Sequence, residues 1–146
     1  MPQLTVNEAS YGGLTHVFDI DFNDLIALGN GGQKTLFTLP AGSGVDLCVV
    51  HKVTAAAGST TVVFDVGTTT GDPDELIDAL DADAMTAPIS NTGDSFTSIY
   101  EKMVCTTATA VPMYFEVNDA AVASLTAGRW IIGFRVIDMG RFSATQ

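Results

Sequence analysis

Apolar and polar side chains alternate with a period of two along most of this chain, and this alternation restricts the fold more than any other feature. Between residues 14 and 22 one face carries mainly apolar side chains, namely Leu14, His16, Phe18, Ile20 and Phe22. The opposite face carries Thr15, Val17, Asp19 and Asp21. Because successive side chains of a strand point to opposite sides of a sheet, the pattern predicts a half-buried β-strand.

Further runs have the same strand-like composition, with glycine-rich turns at several of the junctions. They cover residues 34–39, 45–53, 60–67, 95–105, 111–117 and 128–138. The loop TAAAGS separates 45–53 from 60–67, which predicts that these two strands pair as a hairpin. Strands do not alternate with helices, so a parallel sheet is not expected.

The strand spacing is typical of a sandwich or barrel, and we expect an antiparallel β-sandwich. About seven to eight strands and one short helix account for the pattern. We find no internal repeat and no linker. The sequence therefore predicts an N-terminal arm over residues 1–12 and a single all-β domain over residues 13–146.

The size and charge of the chain restrict its partners. Of its 146 residues 47% are hydrophobic, which suffices for one core, while 17 acidic and six basic residues give a formal net charge of -11. Such a surface repels phosphate, so we expect neither nucleic acid nor an anionic membrane as a partner. The N-terminus lacks a basic start and no run approaches 18 apolar residues, so we expect neither a signal peptide nor a membrane span.

Six carboxylates and no basic residue occur between Asp72 and Asp83. Asp72 is typical of a helix N-cap, Pro73 suits the first helical position, and Glu75 resembles the second half of a capping box. The apolar side of this predicted short helix consists of Leu76, Ile77 and Leu80. A calcium loop requires polar or glycine residues at positions that are apolar here. We expect a solvent-exposed acidic loop without metal, with an adventitious divalent-ion site as the alternative.

Other polar residues are candidates for chemistry, but each has a structural interpretation. Asp19 and Asp21 share a strand face and Asp24 follows in the turn, so they could hold a cation or act as acid and base. No third ligand with defined spacing is visible, which favours a polar outer face. His16 and His51 lie on apolar strand faces, which favours core or interface histidines over a metal pair.

The two cysteines, Cys48 and Cys105, lie inside apolar runs, which predicts two buried thiols. A disulfide between them requires neighbouring strands, and the sequence leaves this open. No nucleophile-elbow motif and no phosphate-binding glycine loop occurs. We therefore expect no catalytic, cofactor-binding or metal-binding residues, and no enzymatic activity.

Several strands are apolar on both faces. Val17, Val50 and Ile131 lie opposite the main apolar stripe of their strands. Left in water, each of them forgoes roughly 1.5–3 kcal/mol of burial. This predicts that one outer face of the sandwich is covered by another subunit.

Three stretches carry a resemblance to a known family. They are LFTLPAG at 36–42, VFDVGTTTGDPD at 63–74 and RWIIGFRVID at 129–138. Their order over most of residues 14–138 resembles the capsid decoration (cement) proteins of tailed bacteriophages. The resemblance implies a jelly-roll fold, no cofactor and a non-enzymatic role. It also implies a homotrimer on the outer capsid surface that bridges major capsid proteins, assembled in the bacterial cytoplasm.

Two other functions remain open from the sequence. The first is a phage tail or head-fibre component, which would have a similar composition. The second is a carbohydrate- or ligand-binding β-sandwich module, which requires exposed aromatic side chains along one strand face. The candidates for such a face are Trp130, Tyr11, Tyr100 and Tyr114, three of which lie in apolar runs.

Overall fold

The computed structural model describes residues 3–4, 13–93 and 109–138. Within them the chain forms nine strands, which are β1 (Gln3–Leu4), β2 (His16–Asp21), β3 (Gly32–Leu39), β4 (Ser43–Ala57), β5 (Val63–Gly67), β6 (Ile77–Asp81), β7 (Ile89–Ser90), β8 (Val111–Asn118) and β9 (Ala127–Asp138). The described residues also contain one α-helix, α1 (Phe22–Leu28), and one 3-10 turn, Val122–Ser124. The strand predicted at 95–105 lies outside the described residues.

The strands form two antiparallel sheets. One is five-stranded with the order β1-β2-β9-β4-β7, and the other is four-stranded with the order β3-β8-β5-β6. All neighbouring strands run antiparallel. This confirms the predicted all-β sandwich, jelly-roll-like and with one short helix. Strand β1 comes from the predicted N-terminal arm and pairs with β2 at the edge of the five-stranded sheet.

The inner faces of the two sheets share one core that is rich in aromatic side chains. Trp130 of β9 packs edge-on against Phe64 of β5 with ring centroids 5.1 Å apart, and Phe64 packs against Phe115 of β8 at 4.9 Å. The indole Nε1 of Trp130 donates to the carbonyl oxygen of Ala82 at 2.9 Å, so its polar atom is satisfied. Truncating such a buried aromatic residue to alanine costs about 3–5 kcal/mol.

The helix does not lie where the capping pattern at Asp72 predicts it, and that prediction is wrong. Helix α1 begins after Asp21, whose carboxylate accepts hydrogen bonds from the backbone N–H groups of Asn23 and Asp24 at 2.8 and 3.1 Å. The Asp24 carboxylate accepts in return from the backbone N–H of Asp21 at 3.0 Å. This reciprocal capping box satisfies free donors at the helix start.

The acidic stretch forms strand β6 because its apolar residues complete the core. Leu76 and Ile77 are fully buried, and the backbone N–H of Leu76 donates to Val66 of β5 at 2.9 Å. The Glu75 carboxylate accepts from the backbone N–H of Thr68 at 2.8 Å. Burial beside β5 therefore outweighs the local capping signal, as tertiary packing commonly outweighs propensity.

The predicted hairpin between 45–53 and 60–67 is also wrong. Strand β4 continues to Ala57 and pairs with β9 and β7, whereas β5 lies in the other sheet. The chain crosses between the sheets at Gly58, which has a φ of 92°. A Cβ at Gly58 would lie 2.0 Å from the carbonyl oxygen of Ser124, so only glycine fits this crossing.

The inner face of β4 differs from the one that strict alternation predicts. The register shifts between Val45 and Leu47, which places Cys48 and Val50 in the core. A β-bulge adds one residue to a strand, so the side chains after it change face up to the next register shift, which lies between Lys52 and Thr54. Val53 is therefore 42% exposed, and Val50 does not contribute to an outer apolar face.

Candidate functional site

The outer face of the five-stranded sheet has an apolar centre that the chain itself covers. Gly133 of β9 lies between Val17 of β2 and Val49 of β4. A Cβ on Gly133 would lie 2.5 Å from the Leu14 Cδ1 atom, so Leu14 packs over this glycine. Val17 is fully buried and Leu14 is 7% exposed. Val17 thus lies opposite the main apolar stripe as predicted, but this chain already covers it and it needs no other subunit; Ile131 is half-buried on the same face.

Two arginine–aspartate pairs flank this apolar centre. Arg129 donates from Nε and Nη2 to the two carboxylate oxygens of Asp19 at 2.9 and 2.6 Å. Arg135 binds Asp46 in the same bidentate way at 2.7 and 2.9 Å. The hydrogen bonds from Arg129 hold the pKa of the Asp19 carboxyl below its usual value. Both described arginines thus neutralise acids on one face.

The three aspartates predicted to form a polar outer face have structural partners. Asp19 binds Arg129, while Asp21 and Asp24 form the capping box of α1. Asp19, Asp21, Asp24 and Arg129 together line a cavity of about 120 Å³. Because Arg129 supplies a countercharge there, the group fits an ion-pair and capping role better than a cation site.

The outer face of the four-stranded sheet is acidic and holds a hydrogen-bonded network. Asp65 of β5 lies directly opposite Glu116 of β8. The side-chain amide of Asn118 donates to both, at 2.8 Å to Asp65 and 2.7 Å to Glu116, and Gln33 of β3 also donates to Glu116. The backbone N–H of Ala79, a residue with a left-handed φ of 47°, donates to Asp65 at 2.6 Å.

Asp65 is only 8% exposed. Burial raises the pKa of this carboxyl, the hydrogen bonds from Ala79 and Asn118 lower it, and the charges of Glu116 and Asp78 raise it further. Like charges directly opposite each other in an antiparallel pair are destabilising. This face therefore carries repulsion that protonation of Asp65 relieves.

The acidic stretch 72–83 is only partly exposed, so the expectation of a solvent-exposed loop is wrong for its apolar half. Asp72, Asp78 and Asp81 are exposed, whereas Leu76 and Ile77 are buried. Within the described residues, no group of three or more histidine, cysteine, aspartate or glutamate side chains is arranged to hold a metal ion. The stretch thus supplies a core strand with carboxylates on its outer side.

The two histidines lie on different sides of the five-stranded sheet. His16 stacks on Phe37 with ring centroids 4.4 Å apart, and burial lowers its pKa. His51 is exposed, so the two rings do not form a pair. Cys48 is buried, as predicted; its thiol is free, and burial raises its pKa, while Cys105 lies outside the described residues.

Sequence reasoning missed a pocket of about 450 Å³ at one end of the sandwich. Three loops meet there, and they contribute mainly hydroxyl, amide and carboxylate side chains, namely Asn30, Ser59, Thr60, Thr61, Asn118 and Asp119. The backbone N–H of Asp119 donates to the Asn30 side chain at 2.9 Å, which joins two of the loops. The only local signal in the sequence was the pair of adjacent polar residues Asn118 and Asp119 at the end of the alternating strand β8.

The fold resembles solved phage capsid chains, although no family model and no curated protein matches the sequence. A chain of the cyanophage Pam1 capsid asymmetric unit is similar with a TM-score of 0.54 and 16% identity, over 81% of this chain and 80% of that one. A chain from the acidic stable capsid structure of the Helicobacter pylori bacteriophage KHP30 has a TM-score of 0.39 and 17% identity, over 83% and 87%. At this identity the first likeness shows the fold.

The described residues contain no helix that is both long and apolar enough to cross a membrane. Four acids of the two outer faces, Asp19, Asp46, Asp65 and Glu116, are each bound to a hydrogen-bond donor. What the geometry offers is two chemically different faces and one polar pocket. These features suit binding and assembly.

Proposed function

We propose that this protein is a non-enzymatic structural protein of a bacteriophage virion, which decorates the outer surface of the capsid and bridges major capsid proteins. The observation that carries the proposal is the fold likeness to a chain of the Pam1 capsid asymmetric unit. The likeness covers four fifths of both chains in nearly equal shares, so the two chains are similar in length. A small sandwich of this size suits an accessory position on a shell.

The charge of the chain supports an exterior position. With a net charge of -11, the protein is repelled by the phosphates of packaged nucleic acid. The same charge opposes non-specific association between copies at high local concentration. The outer surface of a shell presents many copies side by side without contact to nucleic acid.

The arrangement of aromatic side chains speaks against a carbohydrate- or ligand-binding module. Such a module requires aromatic rings exposed along one strand face, and Trp130 is fully buried. Tyr114 is half-buried, and Tyr11 and Tyr100 lie outside the described residues. No described phenylalanine, tyrosine or tryptophan is exposed on a strand.

A homotrimer is part of the proposal and is tested separately. Because each subunit carries -11, salt screens the repulsion between subunits. Light scattering at micromolar protein is therefore expected to give the mass of three chains. The trimeric fraction should stay constant or increase as ionic strength rises. A monomer at both low and high salt contradicts the trimer without affecting the capsid assignment.

Co-sedimentation tests the capsid assignment directly. Capsids of the phage that encodes this chain, prepared without the protein, are mixed with the purified protein and pelleted. The protein is expected to pellet in a fixed ratio to the major capsid protein. Capsids that already carry their full complement are the matched control and should bind none. Protein that stays in the supernatant with both preparations contradicts the proposal.

A further inference from the structure

The pocket at the loop end of the sandwich contains a carboxylate that the protein satisfies only in part. Asp119 is 6% exposed. Its Oδ1 atom accepts hydrogen bonds from the Ser59 hydroxyl at 3.0 Å and from the backbone N–H of Ala121 at 2.8 Å. Its Oδ2 atom is buried, and no donor in the described part of the chain reaches it. An unpaired buried carboxylate oxygen is costly, so a donor there is stabilising.

The neighbouring amide adds a second acceptor to the same pocket. Asn118 donates both hydrogens of its side-chain amide, one to Asp65 and one to Glu116. Its Oδ1 atom therefore remains as an acceptor, and Asn118 lines the pocket next to Asp119. A ligand that fits this pair of acceptors carries hydrogen-bond donors and positive charge.

Most cations of the described chain are engaged elsewhere. Arg129 binds Asp19, Arg135 binds Asp46, and the Lys52 ammonium donates to the carbonyl oxygen of Asp83. A divalent metal fits poorly, because the described residues bring no group of three or more metal-binding side chains together. None of these three side chains therefore supplies the complementary group, which is a cation that donates N–H groups.

We propose that this pocket binds the ammonium or guanidinium group of a lysine or arginine side chain from another polypeptide. A charge-assisted hydrogen bond to Asp119 Oδ2 supplies the missing donor, and the surrounding hydroxyl and amide groups accept the remaining N–H groups. The inference rests on the proposed function only for the identity of that polypeptide, a protein of the capsid shell.

Small cations test the site without any capsid. The amide resonances of Ser59, Asp119 and Ala121 are followed by NMR while n-butylammonium or methylguanidinium is added at low salt. Saturable shifts are expected with both, and none with tetramethylammonium, which has the charge but no N–H donor. No shift with either donor, as for a pocket that holds only water, overturns the proposal. Equal shifts with tetramethylammonium overturn it as well. So does a parallel titration in which calcium binds the site more tightly than either N–H donor does.

Variants locate the binding. Asp119→Asn keeps an acceptor for Ser59 and Ala121 but removes the charge, and it should weaken binding of both donors by about tenfold or more. The matched control is Asp72→Asn, at an exposed acid outside the pocket, which should leave binding unchanged. Ala120→Leu fills the pocket from an exposed position and should also abolish the shifts, even if Asp119→Asn fails to fold. If Ala120→Leu binds the two donor cations as the wild-type protein does, they do not bind in this pocket.

Capsid co-sedimentation then tests the source of the cation. If the wild-type protein pellets with capsids, Asp119→Asn should pellet at least several-fold less, while Asp72→Asn pellets normally. Equal pelleting of Asp119→Asn overturns the proposed source. If the wild-type protein does not pellet, the proposed function fails, and the capsid source fails with it. The small-cation titration still decides whether the site exists.

Discussion

The two outer faces of the sandwich treat their acids in opposite ways. On the five-stranded sheet, Asp19 and Asp46 are each held by an arginine in a bidentate pair. On the four-stranded sheet, Asp65 and Glu116 face each other and share the neutral amide of Asn118. A chain with 17 acids and six bases thus neutralises one face and leaves repulsion on the other. The neutralised face is the one with an apolar centre.

The difference makes the two faces respond oppositely to pH. The pKa of Asp19 is lowered in the folded protein, so its contribution to stability is present at neutral pH and is lost as pH falls through that value. The pKa of Asp65 is raised, so the folded state binds its proton more tightly than the unfolded chain does. The contribution of protonated Asp65 to the stability of the fold is therefore present at acid pH and is lost as pH rises through the raised pKa.

The largest expected effect tests whether the apolar centre of the five-stranded sheet is a true secondary core. Leu14→Ala should lower the free energy of unfolding by about 2–4 kcal/mol, because it uncovers Val17 and leaves space above Gly133. Urea unfolding at neutral pH measures this. Thr35→Ala, at an exposed position of the four-stranded sheet, is the control and should change stability by less than about 0.5 kcal/mol. A similar small loss for Leu14→Ala shows that the centre is not packed.

The acid response of the four-stranded face can be isolated with Asp65→Asn. From neutral pH down to the unfolded aspartate pKa, the wild-type protein should gain stability relative to this variant, because only it takes up the favoured proton. Melting temperatures of both proteins at a series of pH values give the difference. If the melting temperature of the wild-type protein minus that of the variant stays constant with pH, or increases as pH rises, the pKa of Asp65 is not raised.

The causes of that raised pKa can be ranked by two further variants. Glu116→Gln should lower the pKa of Asp65 more than Asp78→Asn does, since Glu116 contributes the larger charge effect. An NMR titration of the Asp65 carboxyl carbon measures both. The reverse order contradicts the strand register that places Glu116 opposite Asp65.

The smallest expected effect concerns the arginine pairs. A double-mutant cycle of Arg135→Met and Asp46→Asn should give a coupling of only about 0.2–1 kcal/mol, because Arg135 is 42% exposed and water screens the pair. The coupling should shrink in high salt. A coupling of several kcal/mol that salt does not reduce implies that this face is shielded from water.

The sequence predicted the class of fold because period-two patterning is local. Strands β2, β8 and β9 follow their runs closely. The helix was misplaced because Asp72 carries a capping signal as good as that of Asp21, and only burial of Leu76 and Ile77 decides between them. Local patterns carry no information on which strands will pack beside them.

The remaining errors depend on contacts between distant residues. The bulge between Val45 and Leu47 reverses the faces of β4, and nothing in the local sequence marks it. The opposition of Asp65 and Glu116 depends on pairing between strands about 50 residues apart. Asp119 becomes a pocket residue only when three loops meet. Residue spacing and composition alone therefore could not predict the candidate site.

A cryo-EM difference map between capsids with and without this protein tests the proposed decoration of the capsid most directly. Additional density on the outer surface of the shell, shaped as a two-sheet sandwich and in contact with the major capsid protein, is the predicted result. The loop end with Asp119 should face that contact if the pocket binds a side chain of the shell. Density confined to the tail or to the interior of the shell contradicts the proposed decoration of the capsid. No additional density when capsids are mixed with saturating protein contradicts it as well.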